Sequence, residues 1–366
     1  MKNKDQNIVK KKNKFIEFKK CEVCFSNKIE THVNYGRTGS NYEYGYLPVC
    51  ICNECGYKLL SPRKNNRFYI NYYKKFYRSK KKNNVQISKT YEKSQINRGK
   101  KIFNFFEKKI NVKVNFFLDH GCAMGLTMIP WRENGWKVTG LDPNIESVNY
   151  AKEKYSLKII NSFGENLSKQ KNKFNIVLSL GSLEHSFDIN KTMQKIRENT
   201  SDDAYLIIRW RSNKLIGSPL EYFNHNHFRY FNRFSWKILL NRFGFNKISF
   251  YSESIEENNG YEYILAKKTK KINSINKFKK KLKSLDVGRS EKKYMKDYLF
   301  HYTKLSEKIK MLKNKKKLNS FDLMTRFITK NKIGLINHKT NKKSVHRFFI
   351  ETNRFLRFKG EYNLNN

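Results

Sequence analysis

Four residues between positions 116 and 144 have the types and spacing of a nucleoside-binding site. Asp119, Gly121 and Gly125 follow a short apolar run, where the chain must turn sharply and a Cβ atom would obstruct a ligand near the backbone. Asp142 lies twenty-one residues after Gly121, at the end of the next apolar run, where a carboxylate can accept hydrogen bonds from both hydroxyls of a ribose. The pattern therefore predicts recognition of a nucleoside.

Two predicted strands and one helix must hold these residues. The apolar runs 114–118 and 136–141 are typical of strands buried on both faces of a parallel sheet. The helix predicted between them contains Pro130, which should kink the helix or force it to start late, because proline lacks an N–H group. The stretch is half of a nucleotide-binding βαβ unit.

A dinucleotide-binding enzyme is the competing interpretation, but that fold prefers the pattern G-x-G-x-x-G. The residues present are Asp119-His-Gly-Cys-Ala-Met-Gly125, followed by Gly140-Leu-Asp-Pro143. They resemble the first two motifs of class I S-adenosylmethionine-dependent methyltransferases. The resemblance implies that this cofactor is bound by Asp119, Gly121, Cys122, Gly125 and Asp142.

The downstream order extends this resemblance to about residues 91–268. Residues 174–185 and Asp188 resemble the fourth motif of the superfamily, and 231–245 resemble its closing helix. Predicted strands follow at 204–210, 247–251 and 261–266, the last two as an antiparallel edge. The resemblance implies an α/β, Rossmann-like, seven-stranded methyltransferase core at 111–268.

Three further cofactor contacts are implied at the ends of later strands. Leu180 and Glu184 lie in the loop of the fourth motif, where Glu184 is expected to orient the loop beneath the cofactor. Phe163 stands where many members of the superfamily place an acidic residue near the adenine amine. Its ring either stacks on the adenine or is a core aromatic at a strand end.

Two cysteine pairs predict a metal site. Cys21 and Cys24, then Cys52 and Cys55, form two C-x-x-C knuckles separated by 27 residues, a spacing typical of a tetrahedral zinc site. Four thiolates leave no open coordination position, so the zinc is predicted to be structural. A disulfide framework is disfavoured because the chain reads as an intracellular enzyme. Cys50 is either a spare thiol or a ligand that competes with Cys52.

The knuckles and the core together resemble bacterial methyltransferases of sugar, polysaccharide and secondary-metabolite pathways that carry an N-terminal zinc-binding module. In the nucleotide-sugar C-methyltransferases of this group, a loop resembling Y-H-E-H-F-x-Y-F-S supplies catalytic groups. The counterpart here is 224–232, with His227 on the second histidine and Asn224 and Asn226 replacing the tyrosine and the glutamate. The resemblance implies catalytic roles for His227 and His225. Because the phenolic and acidic partners are replaced, carbon methylation of a ketosugar is not expected.

The formal charge of +46 is distributed unevenly. Residues 1–115 hold 28 basic and 8 acidic residues (+20), residues 116–266 hold 19 and 16 (+3), and residues 267–366 hold 30 and 7 (+23). Basic flanks are either a solvated face or a surface with weak attraction for anionic lipid or nucleic acid. Apolar spacing at 271–283 and 304–317 predicts amphipathic helices.

The predicted organisation is a zinc-ribbon-like module at 15–78, a linker and lead-in helix at 79–110, the methyltransferase core, and a basic, mainly helical extension at 269–366. The expected activity is methyl transfer to a small molecule, a nucleotide-linked or lipid-linked sugar of surface polysaccharide biosynthesis. An RNA methyltransferase or RNA-binding protein is the alternative. No apolar run of about eighteen residues and no apolar signal segment is seen in the sequence, so a cytoplasmic location is expected.

Overall fold

The computed structural model describes residues 15–38, 44–76, 88–212, 222–252, 261–273 and 286–293. The amphipathic helices predicted at 271–283 and 304–317 lie outside these residues, apart from 271–273. Within the described ranges, no helix is both long enough and apolar enough to cross a bilayer.

The centre of the fold is a mixed sheet of seven strands: β6 (Phe116–His120), β7 (Lys137–Asp142), β8 (Ile159–Asn161), β9 (Phe174–Leu180), β10 (Thr200–Arg211), β12 (Phe245–Ser252) and β13 (Tyr261–Lys268). Their order in the sheet is β12-β13-β10-β9-β6-β7-β8. Strands β6 to β10 run parallel, and β13 runs antiparallel to both β10 and β12. This confirms the predicted Rossmann-like sheet and its antiparallel edge.

The first strand of the core starts two residues later than predicted. Val114 is 55% exposed, and β6 begins at Phe116, where the chain enters the sheet. The apolar side chain of Val114 thus wrongly predicted that the strand includes this residue, because isolated apolar residues on the surface are common.

Helices flank the sheet, and most begin at a polar cap. The side chains of Ser88, Asn144, Asp188 and Asn232 accept hydrogen bonds from the first backbone N–H groups of their helices. The helices are α1 (Asn66–Asn71), α2 (Lys89–Phe106), α3 (Ile129–Glu133), α4 (Ile145–Tyr155), α5 (Ile189–Asn199) and α6 (Arg233–Arg242).

Pro130 occupies the first turn of α3, after a single turn of 3₁₀ helix at Leu126–Met128. A proline is tolerated there because the first N–H groups of a helix have no intrahelical partner. The predicted late start is therefore observed.

The N-terminal part of the chain forms a second sheet in the order β11-β4-β3-β2, with a two-stranded β1-β5 ribbon beside it. Strand β11 follows β10 in the chain, yet it pairs with β4 through Arg229 and Leu59. The N-terminal sheet is thus completed by a segment that follows the parallel strands of the central sheet. The strands are β1 (Phe15–Ile16), β2 (Ile29–Arg37), β3 (Tyr44–Cys52), β4 (Lys58–Leu60), β5 (Arg63–Lys64) and β11 (Arg229–Tyr230).

The four cysteines of the two knuckles share one buried cluster with the core. That cluster includes Leu118 of β6, Trp210 of β10 and Trp236 of α6. The cysteine-bearing N-terminal part and the core therefore share buried apolar surface, and its burial stabilises their association.

A short helical segment at 287–293 packs on the second knuckle. Lys58 of β4 is 1% exposed, and its Nζ lies 2.8 Å from a carboxylate oxygen of Glu291. A Cβ atom on Gly288 would lie 1.8 Å from the carbonyl oxygen of Asn53, so only glycine allows this approach. Part of the basic extension thus contacts the cysteine module, the N-terminal part of the chain up to residue 76 that carries the two knuckles.

Candidate cofactor and acceptor site

The glycine turn after β6 brings two loops into contact. Gly121 has a φ of +74°, and a Cβ atom on it would lie 2.3 Å from Cβ of Ser182. Gly125 also has a positive φ of +69°. Because L residues rarely adopt this conformation, both glycines are required by the backbone, and Gly121 also by the space available.

The Asp142 carboxylate is held in a defined orientation at the end of β7. Its Oδ2 accepts a hydrogen bond from the Ala123 N–H at 2.8 Å, and its Oδ1 accepts one from the Asn144 N–H at 2.9 Å. Each carboxylate oxygen has a second lone pair. The two backbone bonds therefore fix the plane of a carboxylate that can accept from a pair of ligand hydroxyls.

A cleft of about 790 Å³, open to solvent, lies above Asp142 at the carboxyl ends of the parallel strands. This is the edge at which open α/β sheets bind ligands. The predicted residues Gly121, Asp142, Phe163 and Leu180 line it. Tyr73, His120, Asn144, Ser182 and His185 also line the cleft.

A smaller cavity adjoins the cleft on the other side of the glycine turn. It is lined by the predicted residues Asp119 and Cys122, and by Arg98 of α2, while Gly121 and Leu180 border both cavities. An acidic and a basic side chain thus face the same space. Such a pair suits the ammonium and carboxylate groups of an amino acid.

Asp119 is fully buried, and this burial raises the pKa of its carboxyl to about 7. A 2.6 Å hydrogen bond from the Thr127 hydroxyl opposes the shift. The group therefore changes its charge near neutral pH. Cys122 is buried too, and burial raises the pKa of its thiol well above the ordinary value, so the thiol stays protonated and unreactive.

Two predicted cofactor residues lie behind the cleft instead of lining it. A Cβ atom on Gly125 would meet Met128 and Leu157, at 2.8 and 2.9 Å. Glu184 is 8% exposed, and its Oε1 would lie 3.4 Å from a Cβ atom on Gly181. Glu184 is thus close beneath the turn after β9, in keeping with a role in orienting that loop.

The loop that carries His225 and His227 lies beside the cleft, and neither residue lines either cavity. His225 is buried against the Tyr72 ring, with centroids 5.3 Å apart. His227 contacts the ring of His185 edge-on at 4.7 Å. His185 itself lines the cleft, so His227 lies behind it, and the catalytic roles of His225 and His227 stay predictions.

Tyr73 and His185 form a hydrogen-bonded pair at the wall of the cleft. The Tyr73 hydroxyl lies 3.0 Å from Nδ1 of His185, and both groups bond the Asn226 carbonyl oxygen, at 3.2 and 2.5 Å. Because a carbonyl only accepts, the Nδ1–H donates to it, and the Nε2 of His185 then carries the lone pair. This pair has the acid–base groups that the altered loop lacks.

His120 is a second buried histidine at the cleft. Its Nδ1 lies 2.9 Å from the Ser182 hydroxyl, and a Cβ atom on Gly164 would lie 2.3 Å from its Nε2. Burial lowers its pKa to about 4, so the ring is neutral at physiological pH. It connects the loops after β6, β8 and β9.

The sulfur atoms of Cys21, Cys24, Cys52 and Cys55 lie within 4.8 Å of one another, and all four residues are buried. The Cys21–Cys55 and Cys24–Cys52 sulfur distances are 3.7 and 3.5 Å. A tetrahedral zinc with bonds of about 2.3 Å places its sulfur ligands roughly 3.8 Å apart. The four residues therefore fit a closed, structural zinc site.

Cys50 does not belong to this cluster. Its thiol donates to the Ser61 carbonyl oxygen at 3.3 Å, and burial raises its pKa. Of the two interpretations of Cys50, the spare thiol agrees with this geometry.

Comparison with known proteins adds a domain assignment. Residues 91–249 match the family model described as "Methyltransferase domain". The chain carries a methyltransferase domain. The match supports the prediction of an S-adenosylmethionine-dependent methyltransferase, and it ends before β13 and begins after the cysteine module. No curated protein matches the chain.

Solved structures similar to the methyltransferase domain share little sequence with it. One is a SAM-dependent methyltransferase from Archaeoglobus fulgidus, with 15% identity, a TM-score of 0.41, and coverage of 48% of this chain and 94% of that one. Another is the CcbJ methyltransferase from Streptomyces caelestis, with 11% identity, a TM-score of 0.38, and coverage of 47% and 89%. A third is a plantazolicin methyltransferase in complex with SAH, with 12% identity, a TM-score of 0.39, and coverage of 48% and 85%.

Sequence reasoning missed Tyr73 and Arg98 as residues of the site. Tyr73 belongs to the turn of π helix that follows α1, 112 residues before its partner His185. Arg98 lies in the middle of α2, in a strongly basic part of the chain. No local motif marks either residue, because long-range packing alone brings them to the cavities.

Proposed function

We propose that this chain transfers a methyl group from S-adenosylmethionine to a hydroxyl of a small polar acceptor, a sugar or glycan precursor. The observation that carries the proposal is the cleft above Asp142, where the glycine turn, an oriented carboxylate and the Tyr73–His185 pair line one space. When bound, the cofactor supplies an electrophilic methyl carbon on a sulfonium.

Different parts of the cofactor find matching groups in the two cavities. Asp142 would accept hydrogen bonds from the ribose hydroxyls, and Phe163 would flank the adenine. In the smaller cavity, ionised Asp119 faces the ammonium group and Arg98 the carboxylate of the methionine. Gly121 and Leu180 border both spaces, so one ligand can occupy both.

The acceptor is expected on the side of Tyr73 and His185. Nε2 of His185 takes the proton of the attacking hydroxyl, while the Asn226 carbonyl holds the Nδ1–H and keeps the ring in this tautomer. Tyr73 donates to the same carbonyl and limits the rotation of the imidazole. The remaining acceleration comes from holding the nucleophile in line with the methyl carbon.

The charge distribution favours a small polar acceptor over a nucleic acid. The methyltransferase half is nearly neutral, with 19 basic and 16 acidic residues at 116–266, whereas a phosphate-tracking surface needs clustered cations. The basic flanks are then a solvated face or a weak contact with an anionic membrane surface. A nucleotide-linked or lipid-linked sugar carries phosphate, which the basic flanks of the chain can attract.

The test is a transfer assay with S-adenosylmethionine labelled in the methyl group. UDP-, GDP- and dTDP-linked hexoses are supplied as acceptors, and total RNA in a parallel reaction. Label in a sugar product supports the proposal. Label in RNA, with retention that falls steeply with salt, would overturn the sugar assignment in favour of the RNA alternative.

A further inference from the structure

Glu22 lies between two residues of the cysteine cluster, Cys21 and Cys24. Its backbone carbonyl oxygen accepts hydrogen bonds from the Asn190 side chain at 3.2 Å and from Arg242 at 3.0 Å. These donors belong to α5 and α6 of the methyltransferase half. The first knuckle is therefore fastened to the core at the position of Glu22.

The Glu22 carboxylate forms a two-point ion pair with Arg229 of β11. The Arg229 Nη2 lies 2.6 Å from Oε1, and the Nε lies 3.1 Å from Oε2. The Tyr57 hydroxyl donates to Oε2 at 3.0 Å. The Arg229 side chain is 0% exposed and that of Glu22 is 10% exposed, so the geometry is fixed and shielded from solvent screening.

The other N–H groups of Arg229 reach the rim of the cleft. Its Nη1 donates to the Ser186 carbonyl oxygen, and its Nη2 donates to that of Phe187 at 3.4 Å. These residues directly follow His185, which lines the cleft. A continuous chain of contacts thus leads from the cysteine cluster to the loop that carries the proposed base.

We propose that Glu22 is a positioning residue, which holds the His185 loop in place through Arg229 and makes the order of that loop depend on the cysteine cluster. The role given to His185 in this inference rests on the proposed function. The contacts of Glu22 and Arg229 are observed in the structure and do not depend on it. Loss of the carboxylate leaves Arg229 with an uncompensated buried charge, and loss of the metal frees the knuckle that holds the carboxylate in place. Either change weakens the hold of Arg229 on Ser186 and Phe187.

The Asp142 carboxylate and the glycine turn are held by contacts that do not involve Arg229. Asp142 is oriented by Ala123 and Asn144, and the glycine turn is fastened by a hydrogen bond from the Gly121 N–H to the Leu141 carbonyl oxygen at 2.8 Å. Loosening the His185 loop should therefore leave cofactor affinity nearly unchanged while it disturbs the acceptor side.

The experiment is hydrogen exchange of the full chain, read at residues 183–188. The amides of His185 and Ser186 are suitable reporters, since they donate to Ser182 and Leu183 at 3.1 and 3.2 Å. Glu22→Gln is compared with Glu54→Gln. Glu54 is the acidic residue inside the second knuckle, one position later than Glu22 in the first, and it pairs at 3.4 Å with Lys28, whose side chain is 69% exposed.

Glu22→Gln is expected to keep one zinc per chain and its affinity for S-adenosylhomocysteine, and to raise exchange at 183–188 about tenfold or more, the loss of one charged hydrogen bond. Glu54→Gln is expected to match the wild type. Chelation of zinc should raise exchange at 183–188 in the wild type at least as much as Glu22→Gln does. Zinc-loaded Glu22→Gln with wild-type exchange overturns the proposal.

A variant that fails to fold, with fast exchange throughout β6 and β9, leaves the decision to the chelated wild type. Selective loss of protection at 183–188 in that sample supports the positioning role, and unchanged protection there overturns it. Failure of S-adenosylhomocysteine to bind the wild type contradicts the proposed function instead, and does not alter the exchange result.

Discussion

Asp142 and Ala123 are joined by a 2.8 Å hydrogen bond from the backbone of the glycine turn to the carboxylate at the end of β7. The bond ties together the two motifs that predict nucleoside binding. It also fixes the orientation of the carboxylate. The glycine turn and the acidic strand end thus act as one recognition unit.

Replacement of Asp142 by alanine should weaken the binding of S-adenosylhomocysteine by about ten- to a hundredfold. The change removes charge-assisted hydrogen bonds to the ribose and frees the Ala123 N–H as well. Calorimetric titration measures the effect. Asp203→Asn, at an exposed acidic residue in β10, is the control and should bind normally. Unchanged affinity of Asp142→Ala would contradict the placement of the ribose.

Cofactor affinity should rise with pH between about 5.5 and 7.5. The pKa of Asp119 is raised to about 7 by burial, so the carboxyl is neutral at the lower pH and becomes a partner for the ammonium group as it ionises. Titrations with S-adenosylhomocysteine across this range test the trend. Asp119→Asn should bind weakly and show a flat profile.

The same shift has the opposite effect on the stability of the ligand-free chain. Because the folded pKa of Asp119 lies above the unfolded value of 3.8, its stabilising contribution is complete below pH 3.8 and is lost as the pH rises through 7. Asp119→Asn should therefore tolerate pH 8 better than the wild type without ligand. A variant less stable than the wild type at pH 8 contradicts the shift.

The purified chain should contain one zinc ion, bound by four cysteines. Cys52→Ser removes one of the four clustered thiols and should abolish stoichiometric metal, with loss of the folded N-terminal sheet. Cys50→Ser is the matched control, because Cys50 lies two residues away and bonds the Ser61 carbonyl instead. Metal analysis decides. Wild-type protein without zinc, or Cys50→Ser without zinc, contradicts the assignment.

The buried Lys58–Glu291 pair predicts that the segment at 286–293 stabilises the cysteine module. Glu291→Gln leaves the ammonium of Lys58 without its counter-ion in a site that is 1% exposed, and should cost about 3 kcal/mol of unfolding free energy. Denaturant titration measures this. Glu198→Gln, in the surface pair with Lys195, should cost less than about 1 kcal/mol. Equal losses in both variants would argue against a special role for Lys58.

The parts of this site that could be predicted are those that one local segment encodes. Gly121 and Asp142 lie on a single strand–turn–helix–strand unit, and the two C-x-x-C knuckles have a spacing that limits their ligand geometry. Such units constrain their own backbone, so residue type and spacing are sufficient to locate them.

The parts that could not be predicted depend on contacts between distant segments. Arg229–Tyr230 is a two-residue strand that exists because β4 offers it a partner, and no periodicity marks so short an element. The Arg229 contact with Glu22 spans 207 positions. In the loop at 224–232, Asn224 and Asn226 stand in place of the expected tyrosine and glutamate. The sequence of this loop does not indicate that a distant part of the chain supplies a tyrosine hydroxyl to the cleft.

That tyrosine is Tyr73, and Tyr73→Phe should lower the rate of methyl transfer about tenfold while leaving S-adenosylhomocysteine affinity unchanged. The variant keeps the ring but removes the hydroxyl that lies 3.0 Å from His185, so the imidazole is less firmly oriented as a base. His185→Gln removes the base itself and should lower the rate further.

Tyr72→Phe is the control for this pair. Tyr72 is the neighbouring ring and packs edge-on against Tyr73 at 5.3 Å, but it is not among the residues that line the cleft. Turnover of the sugar acceptor found with labelled S-adenosylmethionine is measured for all three variants at one pH. If Tyr73→Phe and Tyr72→Phe retain equal, wild-type rates, the acid–base pair is not part of the reaction and the base must be sought at His227.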